Sequence, residues 1–192
     1  KEMQRELGND ERYAEDVALL RSQSERCRDI LRRLTSLSTD NDEHMRRLPL
    51  SSLIEEVTAP HRQFGIELKQ VEKSSRHGEP TGNRNAGILY GLGNLIENAV
   101  DYARSTVTLT VEHNAEKVTV TIEDDGQGFA PDVLLRIGEP YMSSRPTSQD
   151  RAGGLGLGLF IAKTLLERSG ATLRFDNWQK DGSGARVHIE WP

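Results

Sequence analysis

The sequence predicts an α+β sandwich, with helices stacked on one face of a mixed sheet and a long helical-hairpin segment in front of it. Three observations carry this. Residues 10–38 place apolar side chains at heptad steps. Beyond residue 50, stretches of helical period alternate with stretches of period two. The element order there reads αβαββαββ and includes two hairpins.

Taking the elements in order, Asp10 caps a helix over 10–38 whose inner face runs Tyr13, Val17, Leu20, Ser24, Cys27, Leu31, Leu34. Gly8-Asn9 marks a turn, so residues 1–7 end a preceding helix and 1–40 form part of a hairpin. The polar run 41–49 reads as a linker, and a compact domain occupies 50–192. Ser51 or Ser52 caps a short helix running to about Ala59. Ile66, Leu68 and Val71 alternate as a strand, and 73–82 is a polar loop. A helix over 83–103 buries Ile88, Leu92, Leu95 and Ala99. Val107, Leu109, Val111 and Val118, Val120, Ile122 flank Asn114-Ala115-Glu116 as a hairpin. Residues 126–154, rich in Gly, Pro and Ser, are too long for an ordinary connection and read as a functional loop or lid. A helix over 155–169 carries Leu157, Ile161 and Leu165 on one side and ends at Gly170. A last hairpin, 172–177 and 185–191, turns at Asp181-Gly182-Ser183-Gly184.

Bulk properties narrow the function. The 192 residues are 35% apolar and 29% charged, with a net charge of −5. No long basic run is present, which argues against nucleic acid as a partner. No stretch approaches the roughly 20 apolar residues of a membrane span, and no signal peptide opens the chain. The single cysteine, Cys27, excludes an internal disulfide framework. A cytosolic domain is expected. The chain opens in helical pattern at Lys1-Glu2-Met3-Gln4 without an initiator Met, so a C-terminal fragment of a longer protein is expected.

Three motifs carry chemistry. Asn94 and Asn98 stand four residues apart, hence on one helix face, and Gly87 and Gly91 share that stripe, leaving room for something bulky. Two carboxamides on such a face can hold a hydrated Mg²⁺ and phosphate oxygens, because Mg²⁺ keeps several waters and needs few protein ligands. Ile122-Glu123-Asp124-Asp125-Gly126-Gln127-Gly128 runs a strand into D-x-G-x-G, where Asp124 can accept a hydrogen bond from an adenine amine while the backbone comes close. Gly153-Gly154-Leu155-Gly156-Leu157-Gly158-Leu159 leads into a helix, where bare N–H groups and the helix dipole suit an anion. Alone, these are a polar helix face, a strand-ending turn and a glycine-rich hinge. Their order and their placement on the expected elements make the combination specific.

In that combination the sequence resembles the GHKL ATPases, and within them the catalytic domain of sensor histidine kinases. The three segments look like that family's N, G1 and G2 boxes, and Glu139-Pro140-Tyr141 looks like its F box. The resemblance covers about residues 50–192 and implies the GHKL (Bergerat) sandwich. The helices before it look like part of a dimerisation hairpin. Residues 14–28 and Phe160-Ile161-Ala162-Lys163-Thr164-Leu165-Leu166-Glu167-Arg168 resemble the redox-responsive RegB/PrrB/ActS type. By resemblance, Asn98 coordinates Mg²⁺, Asn94 contacts phosphate, Tyr102 stacks near adenine and Asp124 binds its amine. Gly126 and Gly128 shape the base pocket, and Tyr141 and Arg145 belong to the lid. Gly154, Gly156, Gly158 and Leu159 hold lid and phosphates. Asp101 sits where a basic residue often assists, and Leu155 where Thr is common.

The resemblance further implies transfer of the ATP γ-phosphoryl group to a histidine and onward to a response regulator receiver domain. It implies a homodimeric full-length protein anchored in a bacterial inner membrane, with this part cytoplasmic. Family members that hydrolyse ATP or phosphorylate serine carry Glu at the position of Asn94, as a general base. A carboxamide cannot take a proton, and Glu97 lies about 100° round the helix from Asn98. A GHKL ATPase, a serine kinase and a non-catalytic nucleotide-binding module are the alternatives. The phosphoacceptor is expected upstream of Lys1. Of the five histidines only His44 has a proline five residues later (Pro49), and Met45 stands where an acid is required. Cys27, on the heptad face, is a small core residue or, by resemblance, a redox switch paired across a dimer axis.

Overall fold

The computed structural model describes residues 47–62, 65–73, 78–137, 158–179 and 183–192. The helix over 10–38 with Cys27, the 41–46 part of the linker, His44, His77, Tyr141, Arg145, Gly154 and Gly156 lie outside the described residues.

In chain order the elements are β1 (Arg47–Pro49), α1 (Leu50–Thr58), a 3-10 turn (Ala59–His61), β2 (Glu67–Lys73), β3 (Thr81–Asn83), α2 (Ala86–Tyr102), β4 (Thr106–His113) and β5 (Val118–Asp124). These are followed by α3 (Pro131–Arg136), α4 (Gly158–Arg168), β6 (Thr172–Asn177) and β7 (Ala185–Trp191). Five strands form one sheet in the order β2-β4-β5-β7-β6. Only β2 and β4 run parallel, so the sheet is mixed as expected.

Period-two patterning sets the register. Leu109 faces Ile122 and Val111 faces Val120 across β4–β5, and Ile122 and Val120 in turn face Val187 and Ile189 of β7. These rows point to one face and are buried there with Leu92, Leu95 and Ile96 of α2, Ile54 of α1 and Leu166 of α4. Each such fully buried side chain contributes about 1.5–3 kcal/mol of transfer free energy. Thr108, Thr110, Thr121 and His188 occupy the other face, and the Thr121 hydroxyl and His188 Nδ1 are 3.1 Å apart. Asn114 makes the β4–β5 turn by accepting from the N–H groups of Glu116 and Lys117, both at 2.8 Å.

Two local expectations need correction. No serine caps α1. Its N-cap is Pro49, and its first N–H groups donate to Pro80 O (from Leu50, 3.1 Å) and to the Glu79 carboxylate (from Ser51, 2.5 Å). Residues 47–49, read as linker, and 81–83, read as the end of a loop and the start of a helix, pair as an antiparallel ribbon, and the helix begins at Ala86. Three residues are too short for a visible alternation, and long-range pairing decides. The stretch read as a functional loop or lid contains α3, started by Pro131 at a position where no N–H is needed. In α4, Ala162 and Leu166 are buried, with Ile161 and Leu165 partly buried beside them. Gly170 does end α4, with φ +93°, as the N–H of Ala171 closes back on Leu166 O at 3.1 Å.

Candidate functional site

The site begins with how α2 starts. Asn85 accepts at Oδ1 from the N–H groups of Gly87 (2.8 Å) and Ile88 (3.2 Å), a side-chain cap that fixes the helix phase. Nine and thirteen residues on, Asn94 and Asn98 fall on one face while Leu95 and Ala99 go to the core. Asn94 is buried, with Nδ2 donating to Tyr90 O at 2.8 Å. Asn98 does the same one turn later, donating to Asn94 O at 2.7 Å. Each amide nitrogen thus spends one of its two N–H groups on the helix backbone, leaving the other N–H as a donor and Oδ1 as an acceptor.

Gly87 and Gly91 do not open space for a ligand. A Cβ on Gly91 would stand 2.7 Å from Leu166 Cγ, and one on Gly87 would approach Leu165 Cδ2 at 3.8 Å. The bulky neighbour is α4, which Gly91 lets in close. That approach brings the start of α4 over the asparagines: a Cβ on Gly158 would lie 3.3 Å from Asn98 Nδ2 and 4.0 Å from Asn94 Oδ1. Gly158, the first described residue of α4, therefore meets the Asn94–Asn98 face, and Leu159 packs against the core.

At the end of β5, Asp124 is buried, and its Oδ1 accepts from the N–H groups of Gly126 (2.8 Å) and Ala185 (3.2 Å). Burial is the largest influence on its carboxyl and raises it above the usual range, with the two N–H bonds opposing. Oδ2 accepts no hydrogen bond among the described residues and remains for a donor. Gly126 is demanded by close approach, since a Cβ there would stand 2.2 Å from Tyr102 O. Gly128 holds φ +81°. Tyr102 is half exposed at the end of α2, and the closeness of its main-chain oxygen to Gly126 brings the end of α2 against the D-x-G-x-G loop. Asp125 fastens that contact, accepting from Arg104 N (2.7 Å), Ser105 N (3.0 Å) and Ser105 Oγ (2.6 Å).

The β6–β7 hairpin supplies residues the sequence reading passed over. Asn177 clips Phe129 twice, accepting from its N–H at 2.7 Å and donating to its oxygen at 2.9 Å. Trp178 Nε1–H donates to Asp124 O at 2.8 Å, and Gly184 N–H to Gly126 O at 3.0 Å. An Asn-Trp pair ending an alternating strand was the only signal, and a weak one. Among the described residues no group of three His, Cys, Asp or Glu is placed to hold a metal ion. No helix there is long and apolar enough to cross a membrane. His61 closes the 3-10 turn, His113 ends β4 and His188 lies in β7.

The arrangement is a carboxamide pair on α2 beside Gly158 of α4, with a buried carboxylate, Asp124, in the loop that meets the end of α2. Residues 85–192 match the family described as histidine kinase-, DNA gyrase B-, and HSP90-like ATPase. The chain belongs to this family, as an ATP-binding catalytic domain of the sensor-histidine-kinase kind, similar to the RegB type. Sensor histidine kinase RegB of Cereibacter sphaeroides is 38% identical over 208 aligned positions, which cover 100% of this chain and 45% of RegB. Sensor protein QseC of Escherichia coli O157:H7 is 30% identical over 197 positions, covering 95% of this chain and 41% of QseC. The fold is that of the mycobacterial sensor histidine kinase MprB, with a TM-score of 0.62 at 21% identity over 76% of this chain and 95% of that one. The catalytic domain of histidine kinase ThkA matches at a TM-score of 0.60 and 21% identity, over 76% and 93%. The chain spans less than half the length of the curated relatives it matches.

Proposed function

We propose that this chain presents Mg-ATP to a histidine outside its own five, which passes the phosphoryl group to a receiver-domain aspartate on a response regulator. The observation that carries this is Asn94: a buried carboxamide, one of its N–H groups donating to Tyr90 O, stands where a hydrolytic site needs a base. Neutral histidine is nucleophilic enough without one. The reading gives Asp124 the adenine amine, Tyr102 the base edge, Asn94 and Gly158 the phosphates, and Asn98 the cation. The donor set fits Mg²⁺: a carboxamide oxygen, with no carboxylate cluster among the described residues, leaving its other positions to water and phosphate. Bound there, Mg²⁺ neutralises phosphate charge; the chain's own part is to orient and desolvate the nucleotide. The homodimer, the inner-membrane anchor and a redox role for Cys27 rest on resemblance to the RegB type.

Calorimetry with ATP and Mg²⁺, followed by labelled ATP, tests the reading. Tight binding is expected without steady hydrolysis and without acid-labile label on the chain. Label should appear on a histidine-bearing dimerisation domain of the same kinase added in trans. Sustained hydrolysis by the chain alone would favour the ATPase alternative, and failure to bind Mg-ATP the non-catalytic one.

A further inference from the structure

Trp178 follows β6 directly and belongs to none of the asparagine or glycine motifs. Its Nε1–H donates to Asp124 O at 2.8 Å, yet 43% of the residue is exposed. A tryptophan kept for packing alone would be more fully covered, and a plain aromatic ring would serve there. Gly184 seats the indole: a Cβ on it would stand 2.4 Å from Nε1 and 3.0 Å from Asp124 O, and Gly184 holds φ +69°. The main chain closes the same loop, with Trp178 N–H donating to Gly184 O at 3.0 Å. The next N–H, that of Ala185, is the one that fixes Asp124 Oδ1. One side chain therefore ties down the main chain of Asp124 and abuts the turn that aims its carboxylate.

We propose that Trp178 is a positioning residue for base recognition: it holds Asp124 so that Oδ2 meets the exocyclic amine of an adenine nucleotide. The inference rests on Asp124 being the base acceptor of the proposed function. Its signature is selectivity. Loosening Asp124 costs only the contact with the amine, so a purine that lacks the amine has nothing to lose.

The test compares ATP with purine riboside triphosphate, its analogue without the 6-amino group, both with Mg²⁺, on the wild-type chain and on Trp178→Phe. Phe keeps a ring and removes the N–H. Wild type is expected to prefer ATP. In W178F, ATP affinity should fall about five- to tenfold, the scale of one hydrogen bond, while affinity for the analogue holds, so the preference shrinks. Equal loss for both nucleotides marks a merely structural role and overturns the inference, as does no loss. If the wild type does not distinguish the two nucleotides, the reading of Asp124 falls and takes this one with it. A wild type that does, with W178F unchanged, removes only the role of Trp178. A second measurement needs no substitution at 178. The chain has two tryptophans, so the indole N–H resonance of Trp178 is assigned by its persistence in Trp191→Phe. It should shift more with ATP than with the analogue, and equal shifts would overturn the proposal.

Discussion

Asn98 is anchored on Asn94: its Nδ2–H donates to the main-chain oxygen of Asn94 at 2.7 Å, one helical turn back. The bond fixes the amide plane and leaves Oδ1 as the outward group. In Asn98→Ala the Mg²⁺-dependent gain in ATP affinity should drop by about tenfold or more, the scale at which even a ligand's supporting partner matters. Stability should barely change, because Ala is the better helix former and back-bonding of this kind contributes little. Calorimetry with Mg²⁺ and with EDTA separates the terms. An equal loss in EDTA would remove Asn98 from the cation.

Asp124→Asn isolates the base contact. An Asn can keep Oδ1 as acceptor for Gly126 and Ala185, but it places an NH₂ where Oδ2 stood. Donor then meets donor at the adenine amine, and ATP affinity should fall about ten- to hundredfold. Inosine triphosphate, with an acceptor oxygen at that position, should lose far less. The fold should hold at neutral pH, because burial raises the carboxyl of Asp124 and a neutral side chain escapes that cost. A variant that keeps its preference for ATP over inosine triphosphate would contradict the assignment.

Asp125 has the opposite linkage. Burial alone would raise its carboxyl, but bonds from the Ser105 hydroxyl and from the backbone at Ser105, Thr106 and Arg104 outweigh it and hold it well below the ordinary 3.8. A carboxyl depressed in the folded state adds stability that is complete above its unfolded value and is lost as pH falls through the folded one. The wild-type melting temperature should therefore decline below about pH 4. Asp125→Asn should melt lower at pH 7 and show a shallower acid decline, since an amide has no proton to gain. Parallel pH profiles for the two proteins would show that this carboxylate carries no linkage.

What the sequence disclosed, and what it hid, follows range of interaction. Asn114 announced its turn because the bonds that make it lie two and three residues away. The face bearing Asn94 and Asn98, and the alternation of Val107 to Val111, are periodic and so were legible. The β1–β3 ribbon was not, because Leu48 and Gly82 meet only through the tertiary fold. Nor was the use of Gly91, whose vacancy is filled by Leu166, 75 residues on, and not by a ligand. Asn177 and Trp178 act across 48 and 54 residues of chain on a loop whose own motif already looked complete.

Two glycines of α2 on nearly opposite faces, Gly91 and Gly93, give the sharpest test of packing. A Cβ on Gly91 would stand 2.7 Å from Leu166 Cγ and 3.0 Å from Cδ2, in the fully buried contact between α2 and α4. On Gly93 it would meet nothing within 4 Å. Gly91→Ala should therefore destabilise by about 1–3 kcal/mol through overpacking. Gly93→Ala should stabilise by about 0.5–1 kcal/mol, the ordinary helix-interior preference for Ala over Gly. Urea unfolding with an unchanged slope reads both. Leu166→Ala vacates the space, so the cost of Gly91→Ala should shrink in that background, a coupling expected of residues in contact. Because the start of α4 lies over Asn94 and Asn98, Gly91→Ala should also weaken Mg-ATP, and Gly93→Ala should not. Loss of stability with nucleotide affinity intact would mean that the placement of α4 does not set the site.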